Sequence, residues 1–167
     1  MARKRFDQMN CAAAQALEQI GDWWTLLLVR EAFYGVATFS QFEDRLGIAK
    51  NILTERLSAL VEHGIMVRER TKPDIERFVY RLTPKGEALM PILVALMQWG
   101  DEWVVGPDSA PLRIVDARDK APIARLAVTA EDGRQLDIRE LRFRPGPGAD
   151  AETLERFKRP TTELGNA

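Results

Sequence analysis

The residues best suited to chemistry in this chain lie in the stretch GIAKNILTERLSALVEHG, positions 47–64. Leu53, Leu57, Leu60 and Val61 recur at helical spacing and form an apolar seam. The opposite face carries Lys50, Asn51, Thr54, Glu55 and Ser58, short polar groups rich in hydrogen-bond donors. A helix presenting such a face can read base edges in a major groove. Asn51 has the amide geometry that pairs with adenine. Lys50 can reach guanine or a phosphate. Thr54 offers a hydroxyl to phosphate or a methyl to thymine. The bland counterpart of each assignment is a solvated polar residue.

Other reactive residue types are few. His63 precedes Gly64 at the end of that helix and reads as part of its C-terminal cap, with the glycine as the stop. Cys11 is the only cysteine, which leaves no intrachain disulfide and no cysteine-only metal site. A thiol at a helix N-terminus can react as thiolate; otherwise it is a small apolar residue. No phosphate loop, dinucleotide fingerprint or paired metal-ligand spacing occurs. The expectation is therefore a protein that is not an enzyme and carries no cofactor and no metal. Trp23, Trp24, Trp99 and Trp103 read as core and interface aromatics.

Several elements must position the polar face. A first helix is expected from an Asn10 N-cap through CAAAQALEQI. Asp22 is placed to cap the next, WWTLLLVREAF, whose apolar character on nearly every side marks a buried central helix. FSQFEDRLG follows. Two capping boxes overlap at its start, Thr38 with Gln41 and Ser40 with Glu43; the first keeps Phe39, Phe42 and Leu46 on one face. Only Gly47, Ile48 and Ala49 separate this helix from the polar one, the spacing of a helix-turn-helix. Ser40 and Gln41, at the start of the preceding helix, can donate to phosphate with help from the helix dipole.

Two strand-like runs come next, IMVRER and RFVYRL, joined by TKPDIE with Pro73-Asp74 as turn. A hairpin directly after a recognition helix is the order of a winged helix. It carries five basic side chains against three acidic ones, a cationic bias suited to phosphates. Lys72 and Arg77 are its expected contacts, while Arg68, Arg70 and Arg81 are open to pairing with neighbouring acids. Thr83-Pro84 then opens a helix through KGEALMPILVALMQWGDEW, with a bend expected at Pro91. Its apolar positions cover more than one stripe, so its second side is expected in a dimer interface with the first helix; the alternative is cover by residues 106–145.

The stretch 11–103 resembles the HxlR-type winged helix-turn-helix regulators, relatives of the MarR group. The resemblance rests on ALEQIGDWWTLLLVREAF, TFSQFEDRLGIAKNILTERLSALVEHGI, VYRLTPKG and PILVALMQWGDEW, in the family's order. It implies a homodimer that binds operator DNA and regulates transcription. It also implies a basic, phosphate-directed role for Arg56 and an oxidant- or electrophile-sensing role for a cysteine at the place of Cys11. Three positions depart from the common pattern. Trp23 stands where many members have lysine, Ala49 where many have serine, and Ala12 where proline usually follows the cysteine. A recognition helix without a hydroxyl at position 49 forgoes about 1 kcal/mol of capping.

The fold class expected is α+β: a mainly helical winged helix-turn-helix domain over 1–105, a small antiparallel β appendage over 106–149, and a short helix or disordered tail over 150–167. In the appendage, LRIV, IARLAVTA, LDI and LRF are the strand candidates and EDGR the turn. Relatives with zinc use cysteine pairs in such extensions; none is present here, and no metal is expected. With a net charge of −1, a uniformly basic surface is excluded, so DNA contact needs locally sorted charge. Arg3, Lys4 and Arg5 suit a minor-groove arm or a disordered terminus. No signal peptide and no uninterrupted apolar run of ~18 residues is apparent, which gives a cytoplasmic expectation without membrane contact. The expected partners are double-stranded DNA, a second copy of the chain, and a small apolar effector between the central and terminal helices. The competing readings are a winged-helix module that binds a ligand or a protein but not DNA, and a thiol sensor using Cys11.

Overall fold

The computed structural model describes residues 6–158 apart from Pro73 and Asp74; for residues 72, 75 and 76 it gives the backbone course alone. The order is α1 (Ala12–Ile20), α2 (Trp23–Phe33), α3 (Phe39–Leu46), α4 (Lys50–Glu62), β1 (Met66–Lys72), β2 (Ile75–Leu82), α5 (Pro84–Glu87) and α6 (Met90–Gly100). A wider π-type turn, Asp101–Val105, ends α6, and α7 (Ala151–Lys158) closes the described chain. This is the expected winged-helix order.

Helix starts follow local chemistry. The Asp22 carboxylate accepts from Trp24 N at 3.0 Å and starts α2. Thr38 and Gln41 form the preferred capping box of α3: Thr38 N donates to Gln41 Oε1 at 3.0 Å while Thr38 Oγ1 accepts from Gln41 N. Thr83 Oγ1 accepts from Gly86 N, with Pro84 at the first position of α5. At α1 the expectation fails. Its N-cap is Cys11, without a side-chain capping bond, and Asn10 turns away to donate to the Gly148 carbonyl at 3.0 Å.

The core lies beneath the helix-turn-helix. Leu28, Val29, Phe42, Leu53, Leu57, Leu60, Ile65 and Met66 are the largest fully buried side chains. Each contributes roughly 1.5–3 kcal/mol by leaving water. Gly47 ends α3 in the left-handed region at φ 60°, a conformation that turns the chain sharply into α4 without strain. Gly86 is required for a different reason: a Cβ there would collide with the Ile65 carbonyl oxygen, so α5 packs directly on the end of the α4–β1 connection.

The wing is an antiparallel pair in which Met66 faces Leu82, Arg68 faces Tyr80 and Arg70 faces Phe78. Tyr80 anchors it to the domain. Its amide donates to Ala37 O at 2.7 Å, and its ring meets Phe42 edge-on at 6.4 Å.

The long terminal helix is not continuous. It breaks at Ala88–Leu89, and Pro91 occupies the first turn of α6, where a missing amide proton costs nothing. Taken together, Pro84–Val105 spans 22 residues and contains an 18-residue window of mean hydropathy 1.2, long and apolar enough by composition to cross a membrane, which the sequence reading did not expect. Much of it is exposed, with Ile92, Leu96, Trp99 and Trp103 on the surface.

The appendage departs most from expectation. Among the described residues the wing is the only paired sheet; residues 112–144 contain two isolated bridges, Val115 with Pro122 and Thr129 with Gln135. The EDGR turn forms, with Leu136 N donating to Val128 O at 2.9 Å, but no strands extend from it. Their backbone bonds go elsewhere. The Gln98 side chain on α6 donates to Ala124 O at 3.2 Å and accepts from Leu126 N at 2.8 Å, taking the place of a neighbouring strand. A 3₁₀ turn, Ile138–Glu140, replaces the expected LDI strand.

Candidate nucleic-acid interface

The polar face of α4 is outward. Leu53, Leu57 and Leu60 hold the helix down, and Lys50, Asn51, Thr54, Glu55 and Ser58 are exposed. Ala49 is the N-cap and offers no side-chain bond, as its methyl dictates. The first-turn amides of α4 are thus left for an external acceptor. Lys50 Nζ stands 3.8 Å from Glu43 on α3, with three-quarters of its side chain exposed, a loose pair worth little in water. The Thr54 hydroxyl donates back to Lys50 O at 2.8 Å, so its proton is already engaged and its methyl is the group it offers outward. Asn51 makes no side-chain hydrogen bond to another described residue.

On α3, Ser40 is exposed, its hydroxyl 3.4 Å from that of Thr38. Gln41 is tied into the capping box: its Oε1 accepts from the amides of Ala37 and Thr38. Only its amide nitrogen can serve an external acceptor.

Arg56 is placed differently from the phosphate-directed role implied by the resemblance. Its side chain is four-fifths buried, with Nε 3.2 Å from Asp22 Oδ1 and Nη1 3.3 Å from Glu55. The Asp22 contact has the distance of an ion pair without the angle of a hydrogen bond. Arg56 therefore ties α4 to the start of α2, because its position on the helix lies to the side of the exposed face.

In the wing, Arg77 is exposed and has no ion pair with a described acid; the side chain of Lys72 and the segment Arg3–Arg5 lie outside what the structure describes. Arg81 pairs with Glu69 at 3.4 Å, as one expectation held. Arg68 and Arg70 form no ion pair with a described acid. Their guanidinium groups lie over the Phe78 ring at 3.7 and 5.5 Å. Stacking fixes the planar groups and leaves N–H edges free for phosphate. Sequence reasoning missed this pair; the alternation that puts Arg68, Arg70 and Phe78 on one strand face was the available signal.

Glu31 was also missed. It is buried within the apolar α2, 4% exposed, and its two oxygens hold Arg30 at 2.7 Å and Arg45, in the last turn of α3, at 3.5 Å. A carboxylate in the middle of an otherwise apolar helix was the clue.

The comparisons with known proteins agree with this geometry. The profile of the HxlR-like helix-turn-helix family matches residues 19–107, more than half of the chain. The chain belongs to the HxlR-like helix-turn-helix family. The uncharacterized HTH-type transcriptional regulator Rv3095 of Mycobacterium tuberculosis is 38% identical over 141 residues, 84% of this chain and 89% of that protein. Among solved structures, PA1607, provisionally named a transcription factor, superposes with a TM-score of 0.79 at 42% identity, covering 86% of this chain and all of that one. PA1374 of Pseudomonas aeruginosa gives 0.63 at 32% identity over 87% of this chain and 99% of its own. These two solved relatives extend over the appendage as well as the winged helix. As an HxlR-like protein, the chain is a helix-turn-helix transcriptional regulator, a class that works by binding DNA.

Two further features of this HxlR-like chain lie outside the DNA-facing surface. Cys11 is exposed immediately before α1. Beside α2 and α6 lies a cleft of about 120 Å³, in the place expected of an effector site. Among the described residues no cluster of His, Cys, Asp or Glu is arranged to hold a metal.

Proposed function

We propose that this chain is a cytoplasmic regulator that binds a pseudo-palindromic operator as a homodimer, inserting α4 of each protomer into successive major grooves about 34–36 Å apart. The observation that carries this reading is the exposed Lys50–Asn51–Thr54 face over a fully buried leucine seam, flanked by the stacked arginines of the wing. Asn51 and the Thr54 methyl read bases. Lys50, Ser40, the Gln41 amide, Arg77, Arg68 and Arg70 hold phosphates, with Lys72 continuing that line. The second copy is supported by an apolar surface that one protomer leaves uncovered. Leu17 on α1 and Leu96 and Trp99 on α6 are each about half exposed, and Trp103 beyond α6 is 67% exposed. That exposure is the pattern of an interface rather than of a solvated helix.

The test is a mobility-shift assay on genomic fragments selected by footprinting. Wild type shifts its fragment, and Lys50→Ala/Asn51→Ala does not. Unchanged binding by the double variant, or no binding by wild type to any fragment, would favour a winged-helix module without DNA binding. The thiol-sensing alternative is favoured by the exposure of Cys11. It requires that an oxidant change operator affinity in wild type and leave Cys11→Ser unaffected.

A further inference from the structure

The central helix α2 carries an acid near each end, and each acid holds an arginine of the helix-turn-helix. At its start, Asp22 Oδ1 lies 3.2 Å from Nε of Arg56 on α4. In its third turn, Glu31 Oε2 lies 3.5 Å from Nε of Arg45, in the last turn of α3. The two acids stand about 14 Å apart along the helix axis.

Folding alone does not account for Glu31. It is buried on α2 together with Thr25, Leu28 and Val29. A well-packed apolar side chain in such a place is often neutral or stabilising, because a buried carboxylate gives up its hydration. The pair with Arg45 does not offset that cost. More than half of the Arg45 side chain is in water, where ion pairs are worth little. Nor does Glu31 need Arg45 for charge balance, since Arg30 Nε and Nη2 already donate to its Oε1 at 3.2 and 2.7 Å. What the Arg45 contact supplies is direction. Phe42 and the leucine seam hold α3 and α4 down by apolar burial, which is non-directional. One ionic contact would leave the helix-turn-helix a pivot. Two contacts, one on each side of the Gly47 corner, remove it.

We propose that Glu31 and Asp22 are positioning residues for operator binding. Through Arg45 and Arg56 they fix how α3 and α4 lie on α2, and so where Ser40, Lys50 and Asn51 meet DNA. The consequence for DNA rests on the regulator reading; the orientation of the helices is a property of the free protein.

The test is Glu31→Gln, which keeps the size of the side chain and an acceptor toward Arg30 and removes the charge. On charge alone this variant binds every DNA more tightly, because an acid is lost and Arg45 is released. Positioning expects the opposite sign on operator DNA: an affinity loss of about tenfold. Affinity for non-operator DNA of equal length should be unchanged or raised. Partial unfolding would lower both affinities by one factor, so the ratio separates positioning from a merely structural role. Glu31→Gln/Arg45→Gln should lose no more than Glu31→Gln alone, since both changes remove the same pair. Asp22→Asn should behave like Glu31→Gln, and it serves where Glu31→Gln does not fold. Asparagine still caps α2, and Arg56 keeps Glu55 at 3.3 Å.

A second measurement contains no DNA. Amide residual dipolar couplings of the free full-length protein report helix directions. Glu31→Gln should turn α3 relative to α2, and Asp22→Asn should turn α4, with the couplings of α2 preserved. Operator affinity at or above that of wild type, or an equal loss on operator and non-operator DNA, overturns the positioning role. Unchanged directions of α3 and α4 overturn it with or without DNA. If wild type binds no fragment, the regulator reading fails by itself, and the couplings still decide whether the two acids orient the helices.

Discussion

The sharpest test of the interface is Asn51→Ala. Asn51 lies in the first turn of α4, exposed, without a side-chain bond to another described residue. Alanine is a better helix former than asparagine, by several tenths of a kcal/mol, so the variant should fold at least as stably as wild type. A loss of operator affinity then cannot be attributed to unfolding, and thermal melting confirms this independently. A bidentate contact from asparagine to adenine discriminates by about 1–3 kcal/mol, and two half-sites double that to about 2–6 kcal/mol. Even the lower bound is an affinity loss of about thirtyfold. Fluorescence anisotropy on the footprinted operator, over a series of salt concentrations, measures it. The log–log salt slope should stay constant, because no phosphate contact is removed. Operator variants at the contacted base pair should lose affinity with wild type and not with Asn51→Ala. An equal loss on every DNA sequence, with a shallower salt slope, would assign Asn51 to the backbone and refute the base-reading role. No loss at all would remove it from the interface.

Ala49→Ser should stabilise the protein by about 1 kcal/mol, since position 49 already has the extended N-cap geometry and lacks only the hydroxyl; urea denaturation reads the shift in midpoint. Gln41→Ala removes the oxygen that accepts from the Ala37 and Thr38 amides and should cost about 1 kcal/mol by the same measurement. Trp99→Glu or Leu96→Glu should shift sedimentation from dimer to monomer without unfolding, because both positions are half exposed within one protomer. Asp150 accepts from the Thr153 amide and lies below the usual carboxylate range because that bond favours its charged form. A group depressed on folding stabilises above its unfolded value and loses this as pH falls through its folded one. Hydrogen-exchange protection of α7 should therefore hold at neutral pH and fall below about pH 4.

The helix-turn-helix was legible because each of its signals is local. The Thr38–Gln41 box, the three-residue turn at Gly47 and the leucine spacing each depend on residues within a turn or two of one another, and all agree. The appendage was illegible for the opposite reason. Alternation in IARLAVTA identifies an extended segment but not its hydrogen-bond partner, and here the partner is the Gln98 amide, 26 residues away in sequence. Asn10 misled in the same way: as a residue type it suits a helix start, yet it is drawn off by the Gly148 carbonyl. Arg56 belongs to this class too. A basic residue in a recognition helix has the composition of a phosphate contact, and only the placement of Asp22 shows that it faces inward.

That inward arginine changes how DNA affinity must be assembled. A chain of net charge −1 cannot rely on a diffuse field. With Arg56 held by Asp22 and Arg81 by Glu69, the cations left toward DNA among the described residues are few: Lys50, Arg77 and the two arginines stacked on Phe78. Four phosphate contacts give a salt exponent of only about −3.6 for one protomer, against about −7 for two. One protomer would thus bind weakly and with little discrimination, while a rigid pair doubles both terms. The uncovered apolar surface of α1 and α6 and the sparse cations of α4 and the wing are two sides of one requirement. In the proposed dimer, a surface this close to neutral gains its grip on DNA from the second copy, which fixes the distance between recognition helices.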